Sequence, residues 1–307
     1  MAADQNNRKT TYLASAGLLL VAFIWGVAFV VVKSALDYIP PIWMLALRFT
    51  LATVLMLLIF RNRIVTAVRG GRTIIKHGFY LGIFLYVAYA TQTIGCMYTT
   101  AGKNAFITAT YVVLVPFFHW FRTRKRPNHL CFIAAFIAII AIGLISLNGD
   151  LTMNIGDFLT LICGIVYALQ IEYLDKYTEN EDPIVLSVFM IGFAAVLSWV
   201  SAPLMDGPMS GIVFNHEMLM GILYLGVLST MVCFMLQSLC QKYLRSSTAA
   251  IIMCMESVFG ALASAVFLGE RMTGRAIFGC FLMLAAVILA QVDFEELFGE
   301  RKKFADI

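Results

Sequence analysis

The chain has 307 residues, of which 61% are hydrophobic and only 13% charged, with a formal net charge of +4 and a mean hydropathy of +0.86. A soluble domain of this length needs far more charged surface. The small basic excess calls for no nucleic-acid partner, because the basic residues sort by loop. The composition is that of an all-α integral membrane protein whose solvent is the lipid bilayer.

Apolar runs near the ~20 residues that cross a bilayer recur ten times. They lie near 12–33, 41–60, 79–99, 103–121, 130–148, 155–174, 184–204, 217–239, 247–268 and 275–292. The first run is too long for a secretory apolar region and continues into Lys33 rather than a small-residue cleavage site, so it reads as a span. "SALDYIPP" then makes a tight turn, with Pro40 and Pro41 suited to starting a helix. Arg48 falls about two turns into span 2.

In span 3, Gln92, Cys96 and Thr99 share one helical face, and in span 4 so do Asn104, Thr108 and Tyr111. After span 5, "LNGDLTMNIGD" carries two Gly-Asp pairs, turn chemistry that joins a first half, 1–150, to a second, 151–307. Span 6 resembles span 1: "ICGIVYALQIEYLD" aligns without gaps to "IWGVAFVVVKSALD", placing Gly164 on Gly26 and Tyr167 on Phe29. Thr230, Phe234, Gln237 and Gln241 form a third stripe in span 8. Span 9 carries Glu256 and, beyond it, the small-residue pair Gly260 and Ser264, which predicts close packing against another helix.

Ten spans place both termini on one side. Of the 22 lysines and arginines, seventeen lie on that side, including "RNRIVTAVRGGRTIIK" and "RTRKR". Only Lys33, Lys103, Arg271 and Arg275 lie on the other, and Arg48 within a span. This bias predicts cytoplasmic termini. Five spans per half, an odd number, invert the second half, so the fold class is ten transmembrane helices in two inverted five-helix repeats. In such folds the solute site lies near mid-membrane between the halves.

The seven cysteines form no CxxC pair and read as packing residues. The four histidines lie near span ends, so no metal site and no cofactor is expected. The polar stripes cannot comfortably face lipid and point inward, either as interhelical hydrogen bonds or as the lining of a hydrated path. A deep charge costs roughly 2.5–3.5 kcal/mol on insertion scales, so Arg48 and Glu256 each need a partner, water or a role. Counting residues puts both near mid-membrane. A structural ion pair is one reading; for Glu256, a protonated acid bonded to a neighbouring helix, or a proton- or substrate-coupling site, are others.

Three segments carry a resemblance over essentially the whole chain. They are "QTIGCMYTTAGKNAFITATYVVLVPFFHWFRTRKRPN", "IGDFLTLICGIVYAL" and "LQSLCQKYLRSSTAAIIMCMESVFGALASAVFLGERMTGRAIFGCFLMLAAVILA". Together they resemble EamA-type permeases of the drug/metabolite transporter superfamily. The resemblance implies a central cavity lined by helices 1, 3, 4, 6, 8 and 9. It adds Trp25, Tyr167 and Gln170 to the stripe residues Gln92, Asn104, Thr108, Tyr111, Gln237 and Gln241. It also implies carrier-type movement of a small, amino-acid-like metabolite across the cytoplasmic membrane, often outward, by a monomer or homodimer. Multidrug or nucleotide-sugar exchange is the alternative within transport, and a membrane-embedded enzyme the alternative outside it. The family reads Glu-Pro-Val-Phe where this chain has Glu256-Ser257-Val258-Phe259. The glutamate is therefore a family position, which favours a helix-junction role, while the kink a proline gives is in question.

Overall fold

The computed structural model describes residues 2–99, 101–124, 129–146, 154–267 and 273–291. Most of the connector after span 5, the end of "RTRKR", Arg271 and the C-terminal tail lie outside the described residues. So do the side chains of Lys103 and Ser264. Among the described residues there are helices and no strand.

Eight helices are long and apolar enough to cross a membrane: Lys9–Ala35, Pro41–Gly70, Thr73–Tyr98, Asn104–Thr123, Ile155–Thr178, Pro183–Met205, His216–Gln241 and Ser246–Phe267. These are spans 1 to 4 and 6 to 9. Two shorter apolar helices, within His129–Ser146 and Gly274–Gln291, are spans 5 and 10. At 1.5 Å per residue, their 18 residues reach just across a hydrocarbon core. The protein is a multi-pass, all-α membrane bundle.

The helix boundaries follow local chemistry. Spans 2 and 7 begin on prolines, Pro41 and Pro183, whose missing N–H costs nothing in a first turn. Span 6 begins with a reciprocal cap: Asn154 Oδ1 accepts from the Asp157 N–H and Asp157 Oδ2 accepts from the Asn154 N–H, both at 2.9 Å. Span 2 is capped from a distance. Asp206, just past span 7, accepts the Ile42 and Trp43 N–H groups at 2.6 and 3.0 Å. Burial raises its pKa above the usual aspartate value, and these two bonds oppose the shift. Span 2 also runs ten residues past the predicted end at 60, bending at Phe60 (φ −105°, ψ 16°) and stopping at Gly70. "RNRIVTAVR" contains no helix breaker, so the basic segment continues the helix instead of forming a loop.

The inverted repeat is visible in the packing. Spans 2 and 7 pack together, as do spans 5 and 10. Span 3 packs on spans 6 and 7 as span 8 packs on spans 1 and 2, and span 4 packs on span 6 as span 9 packs on span 1. Each contact recurs under exchange of the halves, as a two-fold axis in the membrane plane requires.

Spans 4 and 9 share a further feature. Each breaks near its middle: one helix ends at Thr108 and restarts at Tyr111, the other ends at Met253 and restarts at Glu256. The break in span 9 therefore forms without the family's proline. Ser257 stands in that place, and its Oγ donates to the Cys254 carbonyl at 2.8 Å.

Gly26 and Gly164, aligned in sequence, do the same work at these breaks. A Cβ on Gly26 would lie 2.7 Å from the Glu256 carbonyl oxygen and from the Gly260 N. One on Gly164 would lie 2.5 Å from Thr110 Oγ1 and 3.1 Å from the Thr108 carbonyl. Only glycine lets spans 1 and 6 approach the broken helices this closely. This is also the close contact expected of Gly260.

Candidate functional site

The interior differs along its depth. We call the side carrying the N-terminus the terminal face and the other the opposite face. Between mid-membrane and the opposite face lies a cavity with about 490 Å³ of empty space, in which the centre of a water molecule can range over about 40 Å³. It is a narrow cleft, with room for a few waters. Trp25, Tyr89, Gln92, Asn104, Thr108, Tyr111, Tyr167, Arg48 and Glu256 all line it.

The stripes of spans 3 and 4 join with Thr160 of span 6 in one hydrogen-bonded wall. Gln92 Nε2 donates to Thr108 Oγ1 at 3.2 Å, and Asn104 Nδ2 donates to the Gln92 carbonyl at 3.1 Å and to Thr160 Oγ1 at 2.9 Å. Asn104 is fully buried, and its Oδ1 accepts nothing. The facing wall is aromatic. The Tyr167 ring sits 6.1 Å from Trp25, 6.0 Å from Tyr89 and 6.0 Å from Tyr111, centroid to centroid. Trp25 Nε1 donates to the Ser229 carbonyl at 2.9 Å, which frees its ring face for packing.

Arg48 and Glu256 share the cavity but form no ion pair with each other. Arg48, 2% exposed, donates from Nε to Thr230 Oγ1 at 3.0 Å and from Nη2 to Ser229 Oγ at 3.1 Å. Its guanidinium carbon lies 4.8 Å from the Tyr89 ring centroid, a cation–π contact. The two hydroxyls stand where they do because span 8 widens into a π-helix over Tyr224–Val232, a device common at functional sites. Glu256, 4% exposed, accepts from the Tyr111 hydroxyl at 3.1 Å. These two residues occupy equivalent positions in the two repeats, each the first residue after its helix break. The site thus joins the halves across their axis.

Gln170, Gln237 and Gln241 do not line this cavity. They lie nearer the terminal face in a packed interface between spans 6 and 8. There Gln237 Nε2 donates to Gln170 Oε1 at 3.4 Å and Gln241 Nε2 to the Ile171 carbonyl at 3.2 Å. The carbonyl oxygens Oε1 of Gln237 and Gln241 are buried without a partner. A stripe period fixes which face of a helix turns inward, not what that face meets at each depth.

Still nearer the terminal face is a charged knot that the sequence did not announce. Glu172, 1% exposed, accepts from Arg122 Nε at 2.5 Å and from Ser246 Oγ at 2.7 Å, and lies 3.1 Å from His119 Nδ1. Arg122 Nη2 also reaches Asp175 at 3.4 Å. His119, Glu172 and Asp175 group closely enough to resemble a ligand set, but the guanidinium already occupies Glu172. The knot ties spans 4, 6 and 9 together.

Tyr89, Thr93 and Ser229 also line the cavity. Tyr89 falls three residues before Gln92 and so extends the span 3 stripe by one turn, a signal the sequence carried. Ser229 had none, since its direction depends on the π-helix.

Two inverted five-helix halves around a mid-membrane cavity are an architecture that many membrane transporters share. The chain belongs to the EamA-like transporter family, which it matches over residues 13–147 and again over 154–291. It is 34% identical to an "Uncharacterized transporter" of Archaeoglobus fulgidus, over 91% of this chain and 86% of that one. It is 26% identical to a Salmonella typhimurium protein named "Probable amino-acid metabolite efflux pump", over 92% of this chain and 95% of the other. A crystal structure 15% identical in sequence superimposes with a TM-score of 0.76 over 91% of this chain and 96% of its own, a likeness of fold alone.

Proposed function

We propose that the protein carries a small, amino-acid-like organic metabolite across the cytoplasmic membrane, outward, by alternating access. One observation supports this most: among the described residues, the central cavity lies in one of two halves of the interior that the inverted repeat makes equivalent. The half toward the terminal face is closed by the glutamine interface and the Glu172 knot. Two nearly equivalent packings of one bundle are what a rocking carrier needs. The excess of lysine and arginine on the terminal face supports a cytoplasmic placement of that face, with the cavity in the outer half of the bundle. The solute class follows the names of the relatives and the character of the cleft, an apolar wall with a few hydrogen-bonding groups.

The reading is transport rather than catalysis, following the transporter family to which the chain belongs. It calls for no cofactor, metal or nucleic acid, and for a bilayer, a small solute and a monomer or homodimer. Uptake of labelled amino acids and related metabolites into liposomes bearing the protein tests it against empty liposomes. Saturable uptake of an amino-acid-like solute is the expected result, and equal uptake by both preparations for the whole panel overturns it.

A further inference from the structure

Arg48 and Glu256 are the two buried ionisable groups of opposite charge in the cavity. No salt bridge joins them, and neither pairs with another charge among the described residues. Each is held by neutral groups, Arg48 by two hydroxyls of span 8 and the Tyr89 ring, and Glu256 by the Tyr111 hydroxyl. Arg48 has five N–H donors, of which these bonds take two. Glu256 accepts through Oε1, and its Oε2 has no hydrogen-bond partner among the described residues. An isolated buried charge is costly. Two of opposite sign lining one cleft, each with hydrogen-bonding capacity left over, can turn that capacity toward whatever fills it.

We propose that Arg48 and Glu256 read the two charges of a zwitterion: Arg48 takes the solute's carboxylate, and Glu256 takes its ammonium. A planar guanidinium suits a carboxylate, and oxygen acceptors suit an ammonium. The Trp25, Tyr89 and Tyr167 rings then bound the solute's apolar part. This rests on the carrier reading and narrows it. Amines without a carboxylate and acids without an amine leave one buried charge unanswered and are rejected, since an unmet buried polar group discriminates more strongly than a change in size. The assignment gives Glu256 a role in recognition in addition to its place at the helix junction.

The test uses the purified full-length protein and L-α-amino acids, each with its matching primary amine and 2-oxo acid. Binding is read as ligand-induced thermal stabilisation and confirmed by counterflow in liposomes. For the unaltered protein the amino acid is expected to bind at least about tenfold more tightly than either relative lacking one charge. Arg48→Gln should remove the preference for the amino acid over the amine. Glu256→Gln should remove the preference over the oxo acid. Arg48→Lys, which keeps the charge, covers the case in which Arg48→Gln does not fold. Equal binding of the amine or the oxo acid by the unaltered protein overturns the assignment, as does an unchanged preference in a folded glutamine variant or a lost preference in folded Arg48→Lys. Binding of no panel member overturns it too. Counterflow of solutes from a labelled cell extract then judges the carrier reading separately, and transport of a non-zwitterion leaves that reading standing while the charge assignment falls.

Discussion

Near the opposite face the interior between spans holds a cavity, while among the described residues the corresponding interface of spans 6 and 8 near the terminal face is packed, although the inverted repeat makes the two equivalent. The two repeats run in register across spans 3 to 4 and 8 to 9: short helices begin at Ala101 and Ser246 and restart at Tyr111 and Glu256, a separation of 145 residues. The same offset carries Gln92 onto Gln237. Gln92 lines the cavity, while Gln237 is buried in a helix interface with an unmet carbonyl. Equivalent residues therefore sit in different environments, one beside a cavity and one in a packed interface. Under the proposed rocking mechanism, the polar groups left unsatisfied on the packed side are the ones that would meet water and solute in the other packing.

The most drastic way to break this comparison is at the divider between the halves. Gly26→Val and Gly164→Val each force a side chain into the partner backbone at a helix break, and both should leave little folded, monodisperse protein. Size-exclusion chromatography from detergent checks this. Normal yield for either variant would show that the close approach is dispensable.

A smaller effect is expected from the knot. Glu172→Gln keeps the shape but removes the charge that holds Arg122, and should shift the bundle toward opening at the terminal face. Thiol labelling in an otherwise cysteine-free protein should rise about tenfold at Gln241→Cys and fall at Thr93→Cys, a change of about 1.4 kcal/mol in the balance of states. A rise at both positions would indicate a channel.

Gln237→Leu sharpens the comparison from the other side. Leucine removes a buried carbonyl without a partner but also the donor to Gln170 Oε1, so the two effects should offset to within about 1 kcal/mol, leaving the melting temperature nearly unchanged while transport falls severalfold. A lowered melting temperature would show that Gln237 is already satisfied.

The smallest effect concerns Ser257. The break at Cys254–Met255 exists without a proline, so Ser257→Pro should leave transport unchanged and stability altered by less than about 1 kcal/mol. A large loss would show that the Ser257 hydroxyl bond to the Cys254 carbonyl maintains the break.

Much of this protein could be read from its chain. The number of spans, their inversion and the inward direction of the stripes follow from hydropathy and helical period, because a bilayer admits few ways to satisfy a backbone. The pairing of Gly26 with Gly164 was legible because both helices need the same close contact. Depth was not legible: Gln92 and Gln237 have the same chemistry and period, and only the packing of whole spans decides which of them meets a cavity. Nor was the relation of Arg48 to Glu256. Their similar depth suggested an ion pair, but spans 2 and 9 hold them apart in the cavity, each against neutral hydroxyls. The π-helix that turns Ser229 and Thr230 toward Arg48, and the meeting of His119, Arg122, Glu172 and Ser246, likewise arise from contacts between residues far apart in the chain. Local pattern sets the faces of the helices. The tertiary structure decides what each face touches.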